Sequence, residues 1–191
     1  FDAEQVARAI ATSPVPVLTG IGHEIDRSIA DEVASAFGQG RKVLVLTERT
    51  EHLDSIRAAL DRQAHAPFAL HGRMSRKQRT SVIADLDALP SEQPRILLAT
   101  GRLVGEGFDH PPLDTLVLAM PISWKGSLQQ YAGRLHRDSA GKVDVRIIDF
   151  VDTGHPALLR MWDKRQRGYK AMGYRVAGEA TVIEKNPRPT G

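Results

Sequence analysis

From Arg41 onward the chain alternates short apolar runs with stretches in which apolar residues return every three or four positions. The runs Lys42–Leu46, Pro67–Leu70, Ile96–Ala99, Leu116–Ala119 and Val145–Asp149 are β-rich and too short for helices, so they predict strands. Between them the helical period predicts helices at about 50–64, 75–88 and 126–136, and a longer one from Pro156 to about Met172. Such alternation builds βαβ units around a parallel sheet, and near-continuous apolar strands imply a sheet covered on both faces. Pro156 suits a helix start, where its missing N–H costs nothing. On that last helix Leu158, Trp162, Tyr169 and Met172 share a side expected to pack on the sheet. Arg160, Lys164 and Arg167 form another stripe, best read as a solvated face.

Upstream, a helix at about 2–12, a strand at Val15–Leu18, a Gly20-Ile21-Gly22 turn and a helix at about 26–36 are expected. The glycines of Gly38-Gln39-Gly40 mark the best boundary before the first strand of the main sheet. The predicted organisation is an α/β domain over residues 37–175, a short α/β appendage over 1–36 and a loosely ordered tail over 176–191.

Composition narrows this picture in a few places. With 191 residues and 41% hydrophobic content, the chain can bury one α/β core and a short appendage, not two enzymatic domains. A net charge of +3 decides little about partners, so the placement of basic residues matters more. The absence of cysteine excludes disulfides, thiolate metal sites and cysteine nucleophiles together. No apolar run approaches the roughly 20 residues of a membrane span, and the N-terminus lacks a signal-peptide pattern. The expectation is a cytoplasmic chain without membrane contact. It starts at Phe1 rather than Met, which reads as a fragment or processed chain.

The strongest chemical signal is Gln130-Tyr131-Ala132-Gly133-Arg134-Leu135-His136-Arg137. On a helix, Gln130, Arg134 and Arg137 are spaced by four and three and project from one face, while Gly133 lets a backbone or phosphate approach. Two fixed guanidinium forks suit a triphosphate in transfer, where charge spreads over the γ-phosphoryl oxygens. The plainer alternative is a surface helix with solvated arginines.

The octapeptide resembles motif VI of superfamily 2 helicases, and the segments before it match in order. Ile96–Asp109, a strand followed by a loop ending Gly107-Phe108-Asp109, resembles motif V. Val43–Arg49 resembles motif IV, and His71-Gly72 with the basic run after it resembles the motif that follows. The likeness covers about residues 40–175 and lies nearest the DNA-directed branch related to type III restriction-enzyme motor subunits.

That resemblance implies a RecA-like fold and the second motor lobe of an ATP-dependent helicase or translocase. Arg134 and Arg137 would be arginine fingers positioned by Gln130. Gly107, Asp109 and Gly133 would meet the nucleotide, and Thr47, Thr100, Gly101 and Arg102 the nucleic-acid backbone. For Asp109, a turn former before His110-Pro111-Pro112 is the simpler alternative. The loop after a buried parallel strand is independently where such sheets bind ligands. The basic run contributes Gly72, Arg73, Arg76 and Arg79, with Ser75 as N-cap of the next helix. Clustered arginines bind phosphates without reading bases, although Arg79 could equally be solvated.

What is missing matters as much. No Gly-x-x-x-x-Gly-Lys-Ser/Thr loop occurs, and Gly38-Gln39-Gly40-Arg41-Lys42 has the wrong spacing. ATP and Mg²⁺ would therefore be held mainly by a first lobe absent from this chain, in cis or in trans. Asp31-Glu32-Val33-Ala34 mimics a helicase magnesium box but sits in a helical pattern, which makes it a coincidence.

Phe1 to Ala34 carries a second resemblance, through Val6–Ala11, Ser13–Val17 and Gly22-His23-Glu24-Ile25-Asp26, to a piece of the exonuclease VII large subunit. That family implicates the His and Asp matching His23 and Asp26 in phosphodiester cleavage, as acid/base or metal ligands. Asp26 also suits an N-cap of the helix leading into the first strand. The sequence thus favours a DNA motor lobe, with a nuclease or a non-catalytic nucleic-acid-binding module as rivals.

Overall fold

A computed structural model describes residues 25–63, 65–101, 108–120, 127–151 and 155–175. Among these residues, five helices and five strands follow in the order α1 (Ile25–Gly38), β1 (Lys42–Thr47), α2 (Thr50–Arg62), β2 (Phe68–Leu70), α3 (Arg76–Asp87), β3 (Arg95–Thr100), β4 (Thr115–Leu118), α4 (Ser127–Leu135), β5 (Arg146–Asp149) and α5 (Pro156–Ala171). The strands form one sheet in the order β2-β3-β1-β4-β5, with every neighbouring pair parallel. Central β1 places Val45 opposite Leu98 on one side and Val117 on the other. From β1 the chain runs out to the edge strand β2, returns to β3 between the two, then crosses to β4 and β5. This arrangement leaves a topological switch point at the carboxyl ends of β1, β3 and β4.

Alternation along the strands sorts the core into two layers. Val43, Val45, Ile96, Leu98, Val117 and Ile148 face α1 and α2, meeting Ile29, Val33, Leu53, Ile56 and Leu60. Leu44, Leu46, Leu97, Leu116, Leu118 and Ile147 face the other way, against Leu86 of α3, Tyr131 and Leu135 of α4, and Trp162 and Tyr169 of α5. All strand residues but Phe68 are buried, as the continuous apolar runs implied.

The element boundaries shift by a residue or so, for physical reasons. β3 begins at Arg95, one residue before its apolar run, because pairing with Lys42 continues and the guanidinium finds partners inside. Arg95, 2% exposed, donates to Gln93 O at 3.0 Å, Leu86 O at 3.2 Å and Pro90 O. Pro67, lacking an N–H, lies just outside β2. Ser75 caps α3 as expected in a reciprocal box: its Oγ accepts from Gln78 N–H at 3.2 Å, and Gln78 Oε1 accepts from Ser75 N–H at 2.8 Å. Pro156 opens α5 behind His155, whose Nδ1 accepts from Ala157 N–H at 3.1 Å.

α1 packs directly on the sheet through Ile29, Ala30, Val33 and Ala36. It closes at Gly40, whose φ of +82° permits the bond from Arg41 N–H to Ala36 O at 3.1 Å. Asp26 is itself helical and so is not the N-cap of this helix. Asp31 and Glu32 also lie on α1, a helix rather than a buried strand, in agreement with their reading as a coincidence. Burial pushes the Glu32 carboxyl up, against the opposing pull of Arg146. The helix and strand expected within residues 1–24, and the tail over 176–191, lie outside the described residues. Among the described residues no helix is long and apolar enough to cross a membrane.

On α5, Trp162 and Tyr169 are buried as expected, Leu158 and Met172 are half-buried, and Arg160, Lys164 and Arg167 are exposed. The apolar side also buries a charge that its periodicity concealed. Arg165 is fully enclosed, donating to both oxygens of Asp149 at 2.6 and 3.1 Å, while Tyr169 donates its hydroxyl to Asp149 at 3.0 Å.

Candidate functional site

The residues singled out from sequence fall into two groups. The first lies around the carboxyl ends of the strands. Thr47 and Thr100 are register partners at the last positions of β1 and β3. Both are buried, and the Thr47 hydroxyl shares a 2.9 Å hydrogen bond with His52 Nδ1. His52, half-buried on α2, is therefore the side chain nearer the surface here, and no motif had marked it. Gly101 follows β3, and its carbonyl accepts the Tyr131 hydroxyl, tying α4 to the end of that strand. Burial raises the Tyr131 hydroxyl pKa, opposed by nearby Arg134.

The basic run turns from β2 into α3 on the same side. Gly72, Arg73 and Arg76 are exposed and Arg79 is half-buried. Arg73 donates to Asp54 at 2.9 Å, with both side chains more than half exposed, so the pair adds roughly 0–1 kcal/mol. Arg79 Nε is buried without a hydrogen-bond partner, as is Nδ1 of His71. Arg102 and Gly107 lie outside the described residues, as does His23, and of Asp26 only the backbone is described.

The second group gathers at the C-terminal end of α4. This helix connects the carboxyl end of β4 to the amino end of β5, so its last turn lies towards the amino ends of the strands. Gln130 and Gly133 are exposed, and open space lies over Gly133. Arg134, half-buried, donates to Phe108 O at 2.7 Å, and Arg137 forms an ion pair with Asp109. One expectation is corrected here: α4 ends at Leu135, so Arg137 does not share a helical face with Gln130 and Arg134. The last turn tightens, with His136 N–H on Gly133 O at 3.2 Å and Arg137 N–H on Arg134 O at 3.1 Å. The tightened turn and Asp109, rather than helical phase, aim Arg137.

The segment ahead of β4 is fixed residue by residue. Phe108 holds Arg134 and Asp109 holds Arg137. His110 is buried and bridges Arg95, which donates to its Nε2 at 2.9 Å, and Asp87, which accepts from its Nδ1 at 3.1 Å. That arrangement requires a neutral ring protonated on Nδ1. Burial lowers the imidazole pKa despite the hydrogen bond to Asp87. Pro111 O accepts from Lys142 Nζ at 2.6 Å. Sequence reasoning missed His110 as a contact residue and missed Lys142 altogether. Neither spacing nor periodicity marks a side chain whose partners are backbone carbonyls or residues far along the chain.

Two family models match the chain. The exonuclease VII large subunit matches residues 1–37, and the helicase conserved C-terminal domain matches residues 26–139. The two overlap on α1. Uncharacterized protein 108L of Invertebrate iridescent virus 3 is 36% identical over 111 residues, 58% of this chain and 96% of that protein. The probable helicase D10 of Escherichia phage T5 is 26% identical over 137 residues, 72% of this chain but only 30% of the phage protein. Among solved structures, the C-terminal domain of the DEAD-box protein Dbp5 superposes with a TM-score of 0.63 at 15% identity, covering 85% of this chain and 87% of that one. The RecA-like fold expected from the sequence is thus the observed one, and with the helicase model spanning well over half of its length, the chain belongs to the helicase conserved C-terminal domain family.

Proposed function

We propose that this chain is the second motor lobe of an ATP-dependent DNA helicase or translocase, acting on ATP and Mg²⁺ held mainly by a first lobe in cis or in trans. The observation that carries this reading is the meeting of Arg134 and Arg137 on Phe108 and Asp109. Two guanidinium groups and a carboxylate thereby occupy one corner of the lobe, where arginines can neutralise charge developing on a γ-phosphoryl group. Asp109, with Gly107 just before it, would meet the nucleotide, and open Gly133 leaves room for phosphate beside Arg134. Gln130, exposed one turn earlier, would orient the cluster.

The carboxyl-end group takes the other task. Arg73, Arg76 and Arg79 beside Gly72 offer phosphate contacts that read no bases, as movement along any sequence requires. Thr47, Thr100 and Gly101 lie at the neighbouring strand ends, and Arg102, next in sequence, would join them on the nucleic-acid backbone.

The test is ATP turnover, with and without DNA, by a protein in which this chain is joined to a first lobe bearing the phosphate loop. Arg134→Ala and Arg137→Ala should abolish most turnover while sparing ATP binding. DNA binding that persists with no ATP effect would favour the non-catalytic module instead. A second reading, nuclease activity through His23 and Asp26, draws on the exonuclease VII match over residues 1–37. Metal-dependent cutting of single-stranded DNA by residues 1–191 alone would support it.

A further inference from the structure

A single side chain binds three carbonyls at the arginine corner. Lys142 Nζ donates to Leu135 O at 2.9 Å and Arg137 O at 2.7 Å, both at the end of α4, and to Pro111 O at 2.6 Å on the segment that carries Asp109. A lysine ammonium has three N–H donors, so this set uses its full capacity. Leu135 O is a helix-end carbonyl at the negative end of the helix dipole, which a cation offsets, and Arg137 O lies just beyond it.

The approach to Lys142 is specifically built. Gly141 has a φ of +74°, a conformation that favours glycine, and a Cβ there would press on Glu92 Cγ at 3.0 Å. Lys142 N–H then donates to Ser139 O at 3.1 Å, closing the turn that directs the side chain back at α4.

We infer that Lys142 is a positioning residue for Arg137, clamping the backbone of that arginine to the segment that bears Asp109. The inference rests on the reading of Arg137 as an arginine that faces phosphate. Arg137 lies beyond the last residue of α4, where no helical hydrogen-bond ladder fixes its backbone. Apart from the tightened turn, Lys142 supplies its main-chain anchor. An arginine acting on transferring phosphate is sensitive to displacements of about 1 Å, so the clamp matters to turnover more than to ATP affinity.

The experiment is steady-state ATP hydrolysis by the two-lobe protein carrying Lys142→Met, Arg137→Ala, or both. Methionine keeps the stem and removes the donors. Lys142→Met is expected to lower kcat about tenfold or more, the size of a lost charge-assisted hydrogen bond, while KM for ATP stays within about twofold. In the Arg137→Ala background Lys142→Met should cause no further loss, because the residue through which it acts is gone. Wild-type kcat in Lys142→Met alongside a slow Arg137→Ala would overturn the inference and leave the reading of Arg137 standing. Losses that multiply in the double variant would also overturn it, since Lys142 would then act elsewhere. A wild-type rate in Arg137→Ala would remove the reading and the inference together. Should Lys142→Met fail to melt cooperatively, Lys142→Leu, which also lacks the donors, takes its place in the same cycle under the same criteria.

Discussion

The carbonyl of Phe108 accepts a 2.7 Å hydrogen bond from Arg134 Nη1, so an arginine of α4 holds the chain segment that leads into β4. The Arg137 ion pair with Asp109, the next residue, makes this a double connection.

Loss of either arginine separates two explanations by size. Arginine fingers in phosphate-loop enzymes contribute about 10³–10⁵ in rate, whereas an exposed ion pair contributes roughly 0–1 kcal/mol. Arg134→Ala and Arg137→Ala should therefore cut the turnover of the two-lobe protein by orders of magnitude, with ATP affinity nearly kept. Arg137→Lys should rescue little, since a planar fork is lost while the charge remains. Near-normal hydrolysis in both alanine variants would reduce this corner to a structural contact. Residues 1–191 alone, lacking a phosphate loop, should show no motor-like hydrolysis.

Replacing Arg73, Arg76 and Arg79 together with alanine should weaken binding to all DNA sequences alike and flatten the dependence of affinity on salt. Each lost phosphate contact should reduce the log–log slope by about 0.9 on duplex DNA. Fluorescence anisotropy across a salt series checks this, and an unchanged slope would place the DNA elsewhere on the lobe.

The Asp149 carboxylate lies under α5 with Arg165 and the Tyr169 hydroxyl as partners. Burial pushes the carboxyl up, and the arginine pulls it back. Removing one partner strands the other charge, so Arg165→Leu should destabilise the fold by about 3–5 kcal/mol. Arg165→Leu with Asp149→Leu should recover much of that loss in urea unfolding. A single variant as stable as the parent would mean that water reaches Asp149.

His110 must be neutral to accept from Arg95 and donate to Asp87, and its pKa is lowered from the ordinary 6.5, chiefly by burial. The unfolded chain therefore takes up this proton first as pH falls. The contribution is fully present above pH 6.5, declines as pH drops towards the folded value, and is constant below it. His136 shifts in the same direction, chiefly by desolvation and then through Lys142, so a variant must separate the two. His110→Gln should flatten the acid side of a plot of melting temperature against pH. An unaltered acid side would assign the titration to His136.

The sequence alone determined much of this protein, because its strands are apolar on both faces and its helices carry a clear period. Val43 and Val45 alternating with Leu44 and Leu46 already imply two covered faces, and Ser75 with Gln78 already implies a helix start. The arginine octapeptide and the segments before it pointed to the helicase family by local pattern. The tertiary structure decided what depends on partners distant in the chain. Arg95 and Arg165 are buried because carbonyls and a carboxylate elsewhere satisfy them, which no hydropathy pattern records. Helical spacing placed Arg137 beside Gln130 and Arg134, yet the helix stops at Leu135 and Asp109 redirects the side chain. Lys142 had no signature at all, since its three partners are main-chain carbonyls, which any residue could supply, and only the folded chain brings them within reach of one ammonium group.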